Sequence, residues 1–309
     1  MTGPAYKTPA AFRAAVTDRL RVWSEDHPGA PLADLQRQFA YDRLLARVFL
    51  SEPNLWVLKG ATAMLARLGG SARHSVDVDL YRREGSLDAA DRELRSAAAR
   101  DLGDYFQFTL SPGRVMTMGA RALRVPVVAY LGATPFATFH VDLVVDLRMT
   151  GSPEASESLV PVELPGLVRT AYRIYPIADH IADKVCAMLE VHPRGTASAD
   201  PSTRYRDLVD LAVFAHTASV AARELGAAVR SEAARRNLVL PERMAIPVGP
   251  GWPAGYSRLA RSVPGLGERD IAAALATVGL FVDPILGGTA KGRWDADRLR
   301  WRTKDQPHT

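Results

Sequence analysis

Apolar residues follow two different spacings along the chain, and each spacing predicts a different kind of element. Helical spacing predicts helices over residues 9–23, 31–49, 61–68 and 87–102. Alternation of apolar and polar residues predicts strands over residues 75–80, 105–110, 123–131 and 138–147. This order of helices and strands indicates a mixed sheet with helices on one side, which is an α+β fold of mixed α/β character.

Helical spacing dominates the second half of the chain. It predicts helices over residues 177–191, 203–216, 218–237 and 270–282. Residues 241–264, rich in proline and glycine, predict either a loop packed on the surface or a segment that faces a substrate. Proline and glycine near residues 151–165 mark a boundary. We therefore expect three parts, which are a mixed α/β domain, a mainly helical domain and a basic tail over residues 1–150, 151–288 and 289–309.

Composition excludes several classes of protein. A chain of 309 residues with 47% hydrophobic and 24% charged residues is typical of a globular protein with one large or two small domains. No apolar run is long enough to cross a membrane, and the N-terminus lacks the residue order of a secretory signal, so we expect a cytoplasmic protein. The single cysteine, Cys186, cannot form an internal disulfide. The net charge of +5 favours a polyanionic partner.

The last residues of the chain combine positive charge with aromatic side chains. Six basic residues outnumber three acidic ones, and they are Lys291, Arg293, Arg298, Arg300, Arg302 and Lys304 against Asp295, Asp297 and Asp305. With Trp294 and Trp301 between them, this tail could bind an RNA backbone and stack on a base. A solvated and partly frayed terminus is the alternative.

Residues 75–79, with the sequence SVDVD, carry the first candidate chemistry. Because side chains alternate along a strand, Asp77 and Asp79 project from the same face, roughly 6.5 Å apart along the backbone. Such carboxylates can hold Mg²⁺ or Mn²⁺ for a phosphoryl transfer. Acidic pairs are also common on solvated sheet faces, so the pair alone leaves that alternative open.

A third carboxylate is expected on a neighbouring strand, because cations between protein and phosphates need more than two acidic ligands. Asp142 is our choice, since it lies in the middle of a predicted strand among apolar neighbours. An unpartnered carboxylate in that position would be costly. We therefore predict Asp77, Asp79 and Asp142 as metal ligands, and an ordinary salt bridge to Asp142 is the alternative.

The residues before the acidic strand suit a phosphate group. Lys59 and Gly60 stand at the start of the helix predicted over residues 61–68. A glycine there exposes backbone N–H groups at the positive end of the helix, which favours a triphosphate. Thr62 could add a hydroxyl and Lys59 a charge. The alternative is a glycine that merely starts the helix beside a solvated lysine.

Charged residues also lie on the packed side of two consecutive predicted helices. Lys184 falls at the edge of the first apolar stripe, and Arg204 and Asp207 lie within or beside the second. A phosphate-binding Lys184, oriented by Asp207 or Asp210, explains this pattern if both helices close over the acidic pair. A buried structural ion network explains it equally well.

Five stretches together resemble the AbiEii/AbiGii-type nucleotidyltransferase toxins, including the MenT group, of bacterial toxin-antitoxin and abortive-infection systems. They are LKG at 58–60, SVDVDL at 75–80, the strand at 136–143 that bears Asp142, IADK at 181–184 and RYRDLVDL at 204–211. The resemblance implies a DNA polymerase β-like nucleotidyltransferase core and a helical C-terminal region that completes the site. It also implies Mg²⁺-dependent transfer of a nucleotide from an NTP to RNA, which in the MenT group is the tRNA 3′ end.

The resemblance also implies roles for individual residues. Asp77 and Asp79 would hold the metals, Lys184 would contact the triphosphate, and Asp210, with Asp207 near it, would be the downstream acidic position. Ser75 matches a serine or threonine often found in the family, and Ser75, Arg204 and Asp207 join the expected nucleotide-binding residues. Ala61 departs from the usual glycine or serine, so the hydroxyl contact to the γ-phosphate would fall to Thr62. A toxin of this kind would need an antitoxin, which we expect a neighbouring gene to encode.

The leading hypothesis is attack of an RNA 3′-hydroxyl on the NTP α-phosphate. Asp142 would help to remove the proton, while Lys59, Lys184 and the Gly60 amide would neutralise the leaving pyrophosphate. Two alternatives stay open. One is a nucleotide-binding or RNA-binding module without turnover, and the other is a nucleotidyltransferase that acts on a small molecule or a protein hydroxyl.

Overall fold

A computed structural model of the protein describes residues 5–27, 30–69, 72–118, 120–156, 159–160, 162–190, 204–244, 248–249 and 251–303. The chain divides into two compact units. Unit 1 comprises Met1–Leu147 and Pro153–Tyr175, and unit 2 comprises Arg148–Ser152 and Pro176–Thr309. The main sheet belongs entirely to unit 1.

Unit 1 contains four helices and eight strands within its described residues. The helices are α1 (Pro9–Asp26), α2 (Leu32–Ser51), α3 (Gly60–Leu68) and α4 (Leu87–Ala98). The strands are β1 (Trp56–Lys59), β2 (Asp77–Arg82), β3 (Phe106–Leu110), β4 (Arg114–Met118), β5 (Ala120–Leu131), β6 (Thr134–Val144), β7 (Glu154–Ser156) and β8 (Tyr172–Ile174).

The eight strands form one mixed sheet in the order β3-β5-β6-β2-β1-β8-β7, with β4 also paired to β5. The pairs β2–β6 and β1–β8 run parallel, and the other pairs run antiparallel. The predicted mixed α/β fold is confirmed. Strands β1, β4, β7 and β8 were not predicted, and the short β7 falls where proline and glycine suggested only a boundary.

A tight hairpin between β5 and β6 sets the register at the centre of the sheet. Gly132 has φ +62°, a left-handed conformation that glycine adopts without steric cost, and Leu131 pairs with Thr134 across the turn. A β-bulge between Ala129 and Tyr130 then shifts the register by one residue. Beyond the bulge, each residue of β5 therefore pairs with the β6 residue next to the one it would face in an unbroken hairpin. Neighbouring residues of a strand project from opposite faces, so the shift changes which side chains meet.

Helix α2 is anchored in unit 1 by an ion cluster that water does not reach. Arg47 Nη2 lies 2.7 Å from Asp104 Oδ1, and Arg43 Nε lies 2.7 Å from Asp104 Oδ2. Arg43 also lies 3.6 Å from Asp42, and all four side chains are at most 3% exposed. We call Asp42, Arg43, Arg47 and Asp104 the buried cluster. Its two arginines and two aspartates balance in formal charge.

Unit 2 is mainly helical within its described residues. Its helices are α5 (Ile177–Leu189), α6 (Tyr205–Thr217), α7 (Ala222–Arg236), α8 (Trp252–Arg261) and α9 (Ile271–Leu286), followed by a hairpin of β9 (Arg293–Asp295) and β10 (Arg300–Arg302). Helix α8 lies in the segment predicted to be either a surface loop or a segment that faces a substrate. Proline and glycine hid it from the pattern, although Pro253 falls in its first turn, where proline is tolerated. Among the described helices, none is long and apolar enough to cross a membrane.

The prediction that the tail tryptophans stack on an RNA base is wrong for Trp294, which is buried. Trp294 is 3% exposed, and its indole N–H donates to the Ala215 carbonyl at 2.7 Å. Trp301 stacks on Phe281 with ring centroids 5.9 Å apart and donates to that residue's carbonyl. Both indoles therefore anchor the β9–β10 hairpin to the helices. A frayed terminus does not describe this hairpin either, while residues 304–309, with Lys304 and Asp305, lie outside the described part.

Candidate functional site

Strands β2 and β6 place three acidic residues on one face of the sheet. Their parallel register sets Asp79 beside Asp142 and Asp77 beside His140. Residues in register across neighbouring strands share a face, so these four side chains project together. His140 Nδ1 lies 3.3 Å from Asp77 Oδ1. The neighbouring strand thus supplies a carboxylate at the position predicted from the sequence.

Arg124, which the sequence did not indicate, lies among these carboxylates. It faces Asp142 across the β5–β6 pairing, and its Nε and Nη2 donate to the two Asp142 oxygens at 2.8 and 2.6 Å. Nη2 also lies 3.3 Å from Asp77 Oδ2. The hydrogen bonds that Arg124 donates to Asp142 raise the pKa of Arg124 further above its usual value, so the guanidinium stays charged. Asp142 therefore has the salt bridge that the sequence left open as an alternative to metal binding.

The start of helix α3 lies directly against Asp79. Gly60 has φ +58°, and a Cβ atom built on it would lie 2.0 Å from Asp79 Oδ2. Both the backbone conformation and the close approach therefore require glycine at this position. The Asp79 carboxylate therefore lies close to the N–H groups of the first turn of α3.

Two buried hydroxyl groups form hydrogen bonds to the backbone of Asp77. Thr62 Oγ1 and Ser75 Oγ donate to the Asp77 carbonyl oxygen at 2.8 and 2.7 Å. Thr62 is 0% and Ser75 5% exposed. The predicted contacts of these hydroxyls with a nucleotide are corrected accordingly, because both hydroxyl protons are already donated in the interior. Their effect on the site is to position Asp77.

Lys59 is the cross-strand neighbour of Asp79 in the β1–β2 pairing. Its ammonium nitrogen lies 4.6 Å from the centre of the Tyr175 ring, at a distance typical of a cation–π contact. The Tyr175 ring therefore holds the positive charge of Lys59 at the end of β1. Contact of Lys59 with a phosphate stays a prediction.

We call Asp77, Asp79, Asp142 and Arg124 the carboxylate site. Within the described residues, no group of three or more acidic, histidine or cysteine side chains is arranged to hold a metal ion. The predicted three-carboxylate metal site is therefore not preformed, because Arg124 occupies both oxygens of Asp142. The pair Asp77 and Asp79 still fits Mg²⁺, which commonly uses one or two carboxylates and takes its other ligands from substrate phosphates and water.

The other predicted residues meet in unit 2, where they form a second ion cluster. Lys184 Nζ lies 2.6 Å from Asp210 Oδ2 and 3.1 Å from Asp207 Oδ1. Arg204 Nη1 lies 3.2 Å from the other Asp207 oxygen. Lys184 is 6% and Asp210 0% exposed. The structural network predicted as an alternative is thus present, and a role of these residues in nucleotide binding stays a prediction.

Further ion pairs hold helix α5, which carries Lys184, against helix α7. Arg236 lies 2.7 Å from Asp183, the residue before Lys184, and 2.6 Å from Glu190, just beyond the end of α5. Asp179, in the first turn of α5, accepts hydrogen bonds from the Thr150 and Gly151 backbone N–H groups. The lysine is therefore carried by a helix whose two ends are both held by charge-assisted contacts.

Comparison with known families gives an independent result. A protein-family model described as the AbiEii nucleotidyl transferase toxin of a type IV toxin-antitoxin system matches residues 43–277, which is more than half of the chain. It confirms the resemblance drawn from the five sequence stretches. Among curated protein sequences, none is significantly similar to this chain.

One solved structure gives a consistent answer for the fold. MenT4, a nucleotidyltransferase toxin from Mycobacterium tuberculosis, is 18% identical over 93% of this chain and 99% of its own, with a TM-score of 0.50. JHP933 from Helicobacter pylori is 15% identical over 86% of this chain and 93% of its own, with a TM-score of 0.41. At such identities the likeness to MenT4 shows the fold alone.

Proposed function

This chain belongs to the AbiEii family of nucleotidyl transferase toxins, and we propose that it transfers a nucleotide from an NTP to the 3′ end of an RNA. We propose tRNA as the acceptor, which would block translation in the cytoplasm, and a cognate antitoxin as the partner that restrains the activity. The observation that carries the proposal is the packing of Asp79 against the first turn of α3. A net charge of +5 supports a polyanionic acceptor.

The proposed reaction is a displacement at the NTP α-phosphate. The RNA 3′-oxygen forms a bond to that phosphorus, the bond to the β-phosphate oxygen breaks, and pyrophosphate leaves. The hydroxyl proton passes to a carboxylate of the pair Asp77 and Asp79. Asp142 is not assigned this role, because its two oxygens accept the hydrogen bonds of Arg124. This is a change from the proton acceptor expected on sequence grounds.

Asp77 and Asp79 would hold Mg²⁺ or Mn²⁺, which when bound supplies positive charge to the reacting phosphates. Thr62 and Ser75 hold the backbone of Asp77 in place, so the pair is positioned before substrate arrives. Its charge is only partly neutralised by Arg124. The pair therefore suits a divalent cation, whose other ligands would be water and the substrate phosphates.

The first turn of α3 would receive the triphosphate. Its N–H groups carry the positive end of the helix dipole, and the absence of a side chain at Gly60 lets the Asp79 carboxylate lie beside them. Lys59 is the N-cap residue of α3, and its positive charge supports this assignment. We expect the Lys59 ammonium to move from the Tyr175 ring towards the phosphates when a nucleotide binds.

We also propose that Lys184 contacts the triphosphate, with Asp207 and Asp210 holding its ammonium and Arg204 holding Asp207. Lys184→Met separates this role from a purely structural one. A phosphate-binding lysine would raise the KM for NTP in protein that remains folded, since a charge-assisted contact is lost. A structural lysine would lower only the free energy of unfolding.

The proposal is tested by incubating the protein with tRNA, Mg²⁺ and each of the four α-labelled NTPs. We expect label on the tRNA with at least one NTP, and none with Asp79→Asn. Folded protein that labels no RNA with any NTP would contradict the proposal. Label on an aminoglycoside or a protein hydroxyl instead would favour the small-molecule or protein acceptor.

The second candidate function is nucleotide or RNA binding without turnover. The observation in its favour is that Arg124 pairs with Asp142, so the described residues hold no ready-made three-carboxylate metal site. Binding of NTP by wild-type protein without transfer to any acceptor would support this candidate. Transfer that disappears in Asp79→Asn would exclude it.

A further inference from the structure

The contacts of Arg124 with its two acidic neighbours differ in strength. With Asp142 the guanidinium forms a fork of two hydrogen bonds, at 2.8 Å from Nε and 2.6 Å from Nη2. With Asp77 it has one contact of 3.3 Å, made by the same Nη2. Forked pairs between arginine and carboxylate are among the stronger ion pairs in proteins. The geometry thus makes Asp142 the main partner of Arg124 and Asp77 the weaker one.

The surroundings of Arg124 and Asp142 also favour an ion pair that stays formed. The Asp142 side chain is 12% exposed, and its strand neighbours Val141 and Leu143 are fully buried. A carboxylate in such a place loses hydration and needs a partner in every state of the protein. Arg124, at 35% exposure, keeps one side towards solvent. Separating it from Asp142 would be costly, whereas its single, longer contact with Asp77 is the weaker of the two.

We propose that Arg124 and Asp142 form a permanent positioning pair, and that Asp142 is not a ligand of the divalent cation assigned to Asp77 and Asp79. Asp142 holds the guanidinium, and the guanidinium steadies Asp77 at Oδ2. The pair also reduces the formal charge of the carboxylate site from −3 to −2, which matches one divalent cation. This inference rests on the proposed function, because it concerns the cation of that reaction.

A double-mutant cycle tests the pair, with Arg124→Gln, Asp142→Asn and the double variant. The readout is the affinity for Mn²⁺ alone, followed by the electron paramagnetic resonance signal of free Mn²⁺. We expect Arg124→Gln to bind Mn²⁺ more tightly, because a positive charge is removed. Asp142→Asn should bind it more weakly, by about tenfold, since the released guanidinium then pairs with Asp77. The double variant should return to within about threefold of wild type.

The double variant gives the deciding result. If Asp142 were a metal ligand that Arg124 covers only in the absence of metal, the double variant would lose the ligand together with the arginine. Its Mn²⁺ affinity would then stay about tenfold or more below that of wild type, and this result would overturn the inference. Thermal unfolding gives a second readout. Each single variant should unfold at a lower temperature, and the double variant should regain part of the loss.

Arg95→Gln is the matched control. Its side chain is 34% exposed and makes a 2.9 Å ion pair with Asp91 within helix α4. We expect its Mn²⁺ affinity to equal that of wild type. If the single variants fail to fold, Arg124→Lys replaces them, because it keeps the charge and loses the fork. Unchanged stability and Mn²⁺ affinity in Arg124→Lys would then overturn the inference.

Failure of this inference can be told apart from failure of the proposed function. Wild-type protein that binds Mn²⁺ no better than Asp79→Asn would contradict the cation role of the site, and both proposals would fall. Wild-type protein that binds Mn²⁺ through Asp79, together with a double variant that does not bind it, would overturn only the positioning pair. Nucleotide transfer by wild type would stand in that case.

Discussion

Unit 1 contains two clusters of aspartates and arginines that differ in charge balance and in exposure. In the buried cluster, two arginines meet two aspartates, and all four side chains are at most 3% exposed. In the carboxylate site, three aspartates meet one arginine, and Arg124 and Asp77 are 35% and 24% exposed. Both clusters use the same pair of residue types. Only the buried cluster balances its formal charge.

This difference separates stability from function within a single unit. A buried ion pair that loses one partner leaves an uncompensated charge in a low-dielectric interior. A half-exposed carboxylate loses much less, because water screens it. Substitution in the buried cluster should therefore change stability and spare the chemistry, while substitution in the carboxylate site should do the reverse. The predictions below test this division in order of expected effect.

Asp77→Asn should have the largest effect, on nucleotide transfer. We expect the rate to fall by about 10³-fold, since loss of one group that stabilises transition-state charge costs on the order of 10²- to 10³-fold. The free energy of unfolding should hardly change, because the substitution reduces an excess of negative charge. Asp91→Asn is the control, since both aspartate side chains are 24% exposed and each contacts one arginine. An equal loss of activity in the control would contradict the division.

Asp104→Asn should have the largest effect on stability. It leaves Arg43 and Arg47 without the carboxylate they share, at a cost of about 3 to 5 kcal/mol in the free energy of unfolding. The measurement is urea unfolding followed by fluorescence. Transfer activity per folded molecule should equal that of wild type. Loss of activity in protein that is still folded would mean that the buried cluster does more than anchor α2.

The pH dependence of the same variant sharpens this prediction. Burial would raise the pKa of Asp104, but hydrogen bonds and charges from Arg47 and Arg43 outweigh burial and lower it. A lowered folded-state pKa means that this stabilisation is complete above the unfolded pKa of about 4 and is lost as pH falls through the folded value. The stability difference between wild type and Asp104→Asn should therefore be constant near neutral pH and shrink below about pH 4. A difference that grows on acidification would contradict the assignment.

Gly60→Ala should affect both properties. A left-handed backbone conformation costs a residue other than glycine about 1 to 2 kcal/mol, and the new Cβ would displace the Asp79 carboxylate. We expect lower thermal stability together with a loss of transfer of about tenfold to 100-fold. Gly69→Ala is the matched control, since Gly69 also has positive φ and no atom lies near its Cβ position. It should lose stability and keep its transfer rate.

Thr62→Val should have the smallest effect, about 1 kcal/mol in the free energy of unfolding, because one hydrogen bond is lost. Ser75 donates to the same Asp77 carbonyl oxygen. The double variant Thr62→Val with Ser75→Ala should therefore lose more than the sum of the single losses, since that oxygen then has neither hydroxyl. Additive losses would mean that the two hydroxyls act independently of each other.

Alternation along a strand was enough to place Asp77 and Asp79 on one face and to expect Asp142 on a neighbouring strand. The reason is that a two-residue period and an apolar core together decide which side chains face outward. Helices α1, α2, α5 and α9 were predictable for a similar reason, because each carries a long apolar stripe. Helix α8 and the tail hairpin were not, since proline, glycine and charge mask short elements that only tertiary packing stabilises.

Arg124 could not have been found from the pattern, and the physical reason is the bulge in the β5–β6 pairing, where Phe136 is the extra residue. The short turn at Gly132 sets the hairpin register, and an unbroken hairpin would bring Arg124 opposite Val141, on the buried face. The bulge between Ala129 and Tyr130 shifts the pairing so that Arg124 faces Asp142 instead. A one-residue shift exchanges the faces of a strand, and this shift left no clear mark in the sequence.

Thermal unfolding with and without Mn²⁺ tests most directly whether an external cation completes the carboxylate site. Wild type, Asp79→Asn and Asp104→Asn are compared at one protein concentration. We expect Mn²⁺ to raise the unfolding temperature of wild type and of Asp104→Asn by the same amount. The unfolding temperature of Asp79→Asn should stay unchanged, because only Asp79→Asn loses a cation ligand. An equal rise in all three, or no rise in wild type, would contradict the account.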